Sequence, residues 1–340
     1  MVKSPKVSVV VKSYNHAPYV RQTIQSILDQ SFQDFEIVVT DDNSCDGTPD
    51  VVRQFHDDRI KLEVSPRNNG ISMTMNSVIA RARGEYIAIL NSDDFALPGR
   101  LETQVDFLEK RPDVSALFGL PLPVDENGKQ TASFNDFDRA LSFPDFNRST
   151  WLNSFFFRGN CLCAPTAMVR RSVYDKVGNY DPRLTNLQDF DMWIRVLKAG
   201  YNIVLLPEQL TAFRIRNDNK NMSAPRRDSI LRHHFELVQI LRQYIGMESR
   251  LIREIFTEER AGAGLEESIG TELLLAEMAM TVGTPAYDLF ALQVLFDFAE
   301  NVDDFKRLSS LAGQLDIFRM LKHKRDKKFR RFFSKFRSNR

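Results

Sequence analysis

Over residues 7–118, short apolar runs rich in β-branched side chains alternate with stretches whose apolar positions recur every three or four residues. That alternation predicts buried parallel strands joined by crossover helices, an α/β arrangement. The predicted strands are 7–11, 35–40, 60–64, 86–90 and 114–118, nearly continuous in hydrophobicity as strands covered on both faces must be. Behind the first, Val20, Ile24, Ile27 and Leu28 share one helical face after Pro18, whose missing N–H costs nothing in a first turn. Thr48 and Pro49 open a second helix in the same way. A third starts near Ile71 and is expected to end at Gly84; a fourth runs from about Arg100 to Arg111, before Pro112. Over 120–153 the pattern dissolves into Pro, Asp, Asn and Phe, which predicts a long insertion of the lid or binding-loop kind. Strand-like and helical pieces return over 167–214, and beyond Pro225 the periodicity is helical, with Leu231, Leu237, Val238 and Leu241 in phase. The expected organisation is an α/β domain over 1–221, a helical domain over 222–318 and a tail over 319–340.

Composition adds little to this except at the C-terminal end. The chain has 340 residues, 43% hydrophobic and 27% charged, which is enough for a large core and two units. Its net charge of +1 conceals the stretch 319–340, where eleven Lys and Arg face Asp326 alone. Phe329, Phe332, Phe333 and Phe336 recur there at helical spacing, the pattern of an interfacial helix on an anionic membrane surface; a solvated or partner-bound tail has the same composition. No nucleic-acid module accompanies it, so nucleic acid is not an expected partner. Cys45, Cys161 and Cys163 form no CxxC pair, which argues against a disulfide framework or structural zinc and fits a reducing compartment. No apolar run approaches the roughly 20 residues of a membrane span. The expected location is cytoplasmic, peripheral at the inner membrane face if the tail meets lipid.

In open parallel sheets, ligands bind beyond the carboxyl ends of the strands. Three of those ends are polar: Lys12-Ser13-Tyr14-Asn15, Thr40-Asp41-Asp42-Asn43-Ser44 and Asn91-Ser92-Asp93-Asp94. Two pairs of adjacent carboxylates on one edge repel each other unless a cation or donor groups intervene. With no His or Cys nearby, the hard oxygen set calls for magnesium or manganese, which bind through one or two carboxylates plus substrate phosphates. Asp and Asn also cap helices and form turns, and Asp46-Gly47-Thr48-Pro49 is read that way. Neither GxGxxG after the first strand nor GxxxxGK[ST] occurs. Phosphate charge therefore falls to the metal, to Arg67, or to exposed backbone around Asn68-Asn69-Gly70. Tyr14 is a candidate for stacking on a planar base.

Taken in order, these segments, followed by Gln188-Asp189-Phe190-Asp191-Met192-Trp193, resemble the family-2 inverting glycosyltransferases with the GT-A fold, over about residues 6–223. The resemblance implies a nucleotide-diphosphate sugar donor held by Ser13, Tyr14, Asp42, Arg67, Asn69, Asp93 and Arg216. Asp42 would hydrogen-bond the imide N–H of uracil or thymine while Tyr14 packs on the ring, hence a UDP or TDP donor. Asp93 and Asp94 would hold the metal that bridges the diphosphate; Asn91 stands where aspartate is common. Asp189 matches the catalytic carboxylate, a general base that takes the acceptor hydroxyl's proton. Asp191 is read as a helix cap, and Gln188 stands where glutamate is frequent. Arg216 replaces a frequent His and is assigned to phosphate. Asn160, Cys161 and Cys163 fall on the acceptor side, the cysteines as packing groups. A glycan or lipid-linked sugar acceptor in surface-glycan synthesis is implied. Two other readings stay open. One is a sugar-phosphate nucleotidyltransferase, although Ser13-Tyr14-Asn15-His16 lacks the Gly-rich basic grip on a triphosphate; the other is an inactive nucleotide-sugar or glycan-binding module.

Overall fold

The structure, a computed structural model, describes residues 4–131, 147–216, 227–263, 270–298 and 300. The predicted boundary at Asn221, residues 132–146 of the expected insertion and the basic tail 319–340 lie outside the described residues.

Strands β1 (Val7–Ser13), β2 (Phe35–Asp41), β3 (Ile60–Val64) and β4 (Tyr86–Asn91) run parallel in the order β3-β2-β1-β4. The crossovers are α1 (Ala17–Leu28), α2 (Thr48–Arg53) and α3 (Ile71–Arg81), with α4 (Arg100–Lys110) further on. Val20, Ile24 and Ile27 of α1 join Val7, Val9, Val11, Ile37, Val39 and Leu90 of the sheet and Leu101, Val105 and Leu108 of α4 in one core. Each such side chain contributes roughly 1.5–3 kcal/mol on burial, which fixes the faces the periodicity predicted.

The sheet is wider than the five predicted strands. Among the described residues it has eight, in the order β3-β2-β1-β4-β7-β6-β8-β5, adding β5 (Phe95–Ala96), β7 (Met168–Arg170) and β8 (Asn202–Arg214) to β6 (Val114–Val124). β7 is antiparallel to β4 and β6, β8 is parallel to β6, and β5 is antiparallel to β8. β6 continues to Val124, through residues expected to be irregular. Pro121 and Pro123 do not break it because they share one parity. The Thr131 N–H reaches the Pro123 carbonyl at 3.0 Å, so that parity faces away from β8 and the missing N–H groups leave the β6–β8 ladder intact.

Gly84 is not the end of α3, which stops at Arg81. Its role is close approach: a Cβ there would stand 2.4 Å from the Ser8 backbone nitrogen and 2.7 Å from the Val7 carbonyl carbon. The Gly84 N–H donates to Ser8 Oγ at 2.8 Å. Backbone cannot yield as a flexible side chain can. Gly84→Ala is therefore expected to cost stability at the upper end of the ~1–3 kcal/mol of overpacking, seen as a lower urea midpoint with an unchanged slope.

After β1 the chain steps outward to β2 and β3, then returns on the other side of β1 to form β4. The crevice between the carboxyl ends of β1 and β4 is thus the topological switch point, where such sheets bind ligands.

The chain divides into two compact units, Met1–Trp151 with Arg158–Ser229, and Leu152–Phe157 with the residues from Ile230 onward. In the second, the Phe156 ring meets Tyr244, Phe256, Tyr287 and Phe290 edge-on at 4.9–6.4 Å, and the Tyr244 hydroxyl donates to the Leu152 carbonyl at 2.8 Å. Leu237 and Leu241 are buried as their phase predicts, whereas Leu231 is 73% exposed. Among the described residues no helix is long and apolar enough to cross a membrane.

Candidate active site

Register places Ser13 beside Asp41 and Lys12 beside Asn91, so the segments after β1, β2 and β4 leave the sheet at one edge. The two acidic pairs differ in how they are held.

Asp41 is structural: its oxygens accept the Ser44 N–H at 2.8 Å and the Ser44 hydroxyl at 2.7 Å. The buried Asp42 instead accepts the N–H groups of Asn69 at 2.8 Å and Gly70 at 2.9 Å. Gly70 permits this turn because its φ is +86°. Arg67 Nε donates to Asn69 Oδ1 at 3.3 Å, so Asp42, Arg67 and Asn69 form one hydrogen-bonded loop. Beside it Tyr14 is 46% exposed, and the buried Ser13 hydroxyl has no hydrogen-bond partner among the described residues. Asp46 does what its turn motif predicts, accepting the N–H groups of Thr48 at 3.0 Å and Ala17 at 2.9 Å.

Asp93 and Asp94, expected as a metal-binding pair, are not equivalent. Asp94 is 1% exposed, with one oxygen on the Arg214 N–H at 2.8 Å and the other on the Asn91 amide at 2.9 Å. Burial, then the Asp93 charge, pushes its carboxyl well above the usual range. The other end of the Asn91 amide accepts the Lys12 ammonium. This explains Asn91 where the resemblance implied aspartate: an amide donates to Asp94 and accepts from Lys12 at once, whereas a carboxylate only accepts.

Asp93 faces the crevice, its Oδ2 3.6 Å from His16 Nε2. The expectation of no histidine near the acidic motif is therefore overturned: His16 is distant along the chain, and the β1–β4 neighbourhood brings it in. Its Nδ1 lies 2.7 Å from Ser92 Oγ and its Nε2 3.1 Å from Arg216 Nη1. A guanidinium only donates, so Nε2 accepts and the ring proton sits on Nδ1, toward Ser92. Burial lowers the His16 pKa, with Arg216 and Lys12 adding to the effect and Asp93 opposing it, so the ring is neutral at pH 7. Arg214 and Arg216 both approach the Tyr19 ring, at 4.8 and 5.6 Å from its centroid. Arg214 is buried and donates to the carbonyls of Asp93 and Asp125 at 2.7 and 3.0 Å, which fixes the backbone of the acidic motif.

Asp189 lies in the first turn of the helix Gln188–Lys198 and keeps partial exposure. One oxygen accepts the Phe190 N–H at 2.8 Å, the other the Asn160 amide at 3.1 Å. Burial raises its pKa, against the Phe190 N–H, the Lys12 charge and Asn160. Asp191 is no cap: it sits inside the helix and pairs with Arg195 one turn on at 2.8 Å, because the cap position falls on Leu187. Cys161 and Cys163 are buried.

Lys12 is the residue that motif reading left without a role. Burial pulls its pKa down, while the charges of Asp93, Asp94 and Asp189 act to keep it protonated. Its signal in the sequence was a lysine directly continuing the apolar run 7–11. Lys12→Met is expected to lower kcat/KM roughly tenfold, as loss of an outer-shell partner does. The acid limb of its pH profile should also move to higher pH, since Asp189 loses a charge that favours its ionised form.

Among the described residues no group of three or more His, Cys, Asp or Glu gathers to hold a metal. An ion here would need ligands from a bound substrate and water, as magnesium and manganese commonly do.

The mixed sheet, with its acidic crevice at the switch point, has the GT-A arrangement that the resemblance implied. The sequence profile of Glycosyl transferase family 2 matches residues 8–178, half of the chain, which belongs to that family. An uncharacterized glycosyltransferase of Methanocaldococcus jannaschii, MJ1057, is 31% identical over 234 residues, 68% of this chain and 78% of the relative. TuaG of Bacillus subtilis, a glycosyltransferase named for teichuronic acid biosynthesis, is 30% identical over 63% of this chain and 81% of its own. Among solved structures, S. aureus TarS 1-349 in complex with UDP-GlcNAc matches with a TM-score of 0.57 at 19% identity, over 92% of this chain and 93% of that one. A longer TarS chain is spanned over 54% of its length. The mannosyltransferase PcManGT from Pyrobaculum calidifontis, in complex with GDP-Man and Mn2+, matches with a TM-score of 0.56 at 20% identity, over 94% of this chain and 79% of that one. At these identities the structural likeness is one of fold.

Proposed function

We propose that this chain is a metal-dependent, inverting glycosyltransferase that takes a sugar from a uridine or thymidine diphosphate donor. The acceptor is a hydroxyl of a glycan or lipid-linked sugar in cell-surface polysaccharide synthesis. The observation that carries this reading is Asp189, a carboxyl made more basic by burial and oriented by Asn160, within electrostatic reach of the Lys12 that also serves the acidic motif.

In this reading Asp189 takes the acceptor hydroxyl's proton as that oxygen attacks the anomeric carbon, and the bond from that carbon to the diphosphate oxygen breaks on the opposite face. Each Asp42 oxygen accepts one backbone N–H and keeps a lone pair for an imide N–H, while the exposed ring of Tyr14 covers the base. Ser13 adds, on the same side, a hydroxyl with no partner among the described residues. Arg67, Asn69 and Arg216 serve the phosphates. Asp93 is the carboxylate that holds the ion, because it keeps partial exposure whereas Asp94 is 1% exposed and enclosed by its donors Arg214 and Asn91. The Asp93 charge beside the Asp94 carboxyl, which burial and then that charge push up, suits a cation. Magnesium or manganese bound there would offset the charge of the departing diphosphate.

The metal has support in the Mn2+ of PcManGT, the uridine donor in the UDP-GlcNAc of TarS, and the polysaccharide acceptor in the name of TuaG. The basic, Phe-containing composition of 319–340 adds a place at the inner membrane face, beside lipid-linked acceptors. The test is nucleotide release from a panel of UDP-, TDP- and GDP-sugars with manganese or magnesium. Turnover of a uridine or thymidine donor that chelator abolishes supports the reading. Turnover of a GDP-sugar alone removes the role given to Asp42, and turnover in excess chelator removes the metal.

A further inference from the structure

We propose that His16 is a ligand of the divalent ion, binding it through Nε2 beside the Asp93 carboxylate. The inference rests on the reading that Asp93 holds a metal, and it adds a nitrogen donor to that site.

Three observations converge on the ring. First, Nε2 and Asp93 Oδ2 are 3.6 Å apart. Neighbouring ligands of one ion, each about 2.1 Å from it, stand roughly 3 Å apart, so a small side-chain adjustment brings both onto it. Second, Nε2 carries the lone pair. Arg216 donates to it at 3.1 Å, and the opposite nitrogen is anchored on Ser92 Oγ at 2.7 Å. A metal-binding imidazole needs that arrangement, one nitrogen open to the ion and the other fixed by a polar partner that sets tautomer and ring orientation. Third, the residue stands on rigid backbone. The His16 N–H donates to Thr48 Oγ1 at 2.9 Å, and its carbonyl accepts the N–H groups of Tyr19 and Val20 at 2.9 Å as α1 begins. Asn15, just before it, has a φ of +52°, which turns the chain so that the ring meets the acidic motif.

Arg216 now has a defined place. It occupies the lone pair in the metal-free state, and an ion at Nε2 displaces its N–H and leaves the guanidinium to the donor phosphates. An imidazole in the ligand set also favours manganese over magnesium, because magnesium prefers oxygen.

The test uses the full chain with UDP and Mn2+. Continuous-wave electron paramagnetic resonance measures how much Mn2+ is bound, and pulsed measurements read nitrogen coupled to it. Wild-type protein is expected to show 14N modulation that changes to the 15N pattern when only histidine is 15N-labelled. His16→Gln should lose the modulation and bind Mn2+ roughly 10–100-fold more weakly, with a smaller change for Mg2+ measured by competition. Bound Mn2+ without histidine nitrogen coupling in wild-type protein overturns the inference and leaves the metal at Asp93 intact. So does coupling that persists in His16→Gln. Wild-type protein that binds no Mn2+ at all removes the metal reading, and this inference with it. The labelled wild-type experiment needs no variant, so it decides the matter even if His16→Gln folds poorly.

Discussion

Asp189→Asn is expected to lower kcat by roughly a hundred- to ten-thousand-fold, the range that a general base supplies, with nucleotide affinity nearly unchanged. The amide cannot take a proton from an acceptor hydroxyl, whereas the donor side proposed above lies on other segments, 13–14, 42 and 67–70. Stability should fall slightly. Asp189 accepts N–H groups on both oxygens, and an asparagine has only one carbonyl to offer Phe190 and Asn160. In the wild-type enzyme kcat/KM should drop on the acid side, because the protonated carboxyl is inactive. Burial moves that limb upward from where an exposed aspartate would put it. Stopped assays from pH 5 to 9, paired with nucleotide titrations, check both parts, and wild-type kcat in the variant would remove Asp189 from the chemistry.

The second large effect separates two adjacent aspartates. Asp93→Asn should cost about a hundred- to a thousand-fold in turnover, as loss of a main electrostatic stabiliser does, and raise the metal concentration for half-maximal activity. Its thermal midpoint should hardly move, since the Asp93 carboxylate faces the crevice. Asp94→Asn should instead unfold earlier: one of its N–H donors, from Arg214 or Asn91, would meet an NH2 group in a 1% exposed site. Leaving a buried donor unmatched costs about 1–3 kcal/mol. Metal titrations and thermal denaturation of both variants decide whether this division is right; a shared loss of metal affinity with no loss of stability at Asp94 would refute it.

What could be read in the sequence followed from periodicity and from local motif. Val20, Ile24 and Ile27 announced the buried face of α1 because a helix repeats its faces within one segment. The strand ends carrying Ser13, Asp42 and Asn91 were legible because buried parallel strands are continuous apolar runs with abrupt polar ends. What escaped depended on partners distant in the chain. Gly84 looked like a helix stop until β1 was seen against it. Pro121 and Pro123 fall in the stretch expected to be irregular, and only their common parity relative to β8 makes them harmless. Lys12, Asn91 and Asp94 form one hydrogen-bonded chain across two strands, and His16 reaches Asp93 from a loop 77 positions earlier, so no local spacing reports either arrangement.

The stereochemistry of transfer tests the central claim most directly. With an α-linked uridine or thymidine diphosphate sugar and a simple hydroxyl acceptor, proton NMR of the first product reads the anomeric configuration from its coupling constant. Direct displacement assisted by Asp189 predicts a β-linked product. An α-linked product would mean a different mechanism, one in which Asp189 is not the lone base of a single inverting step.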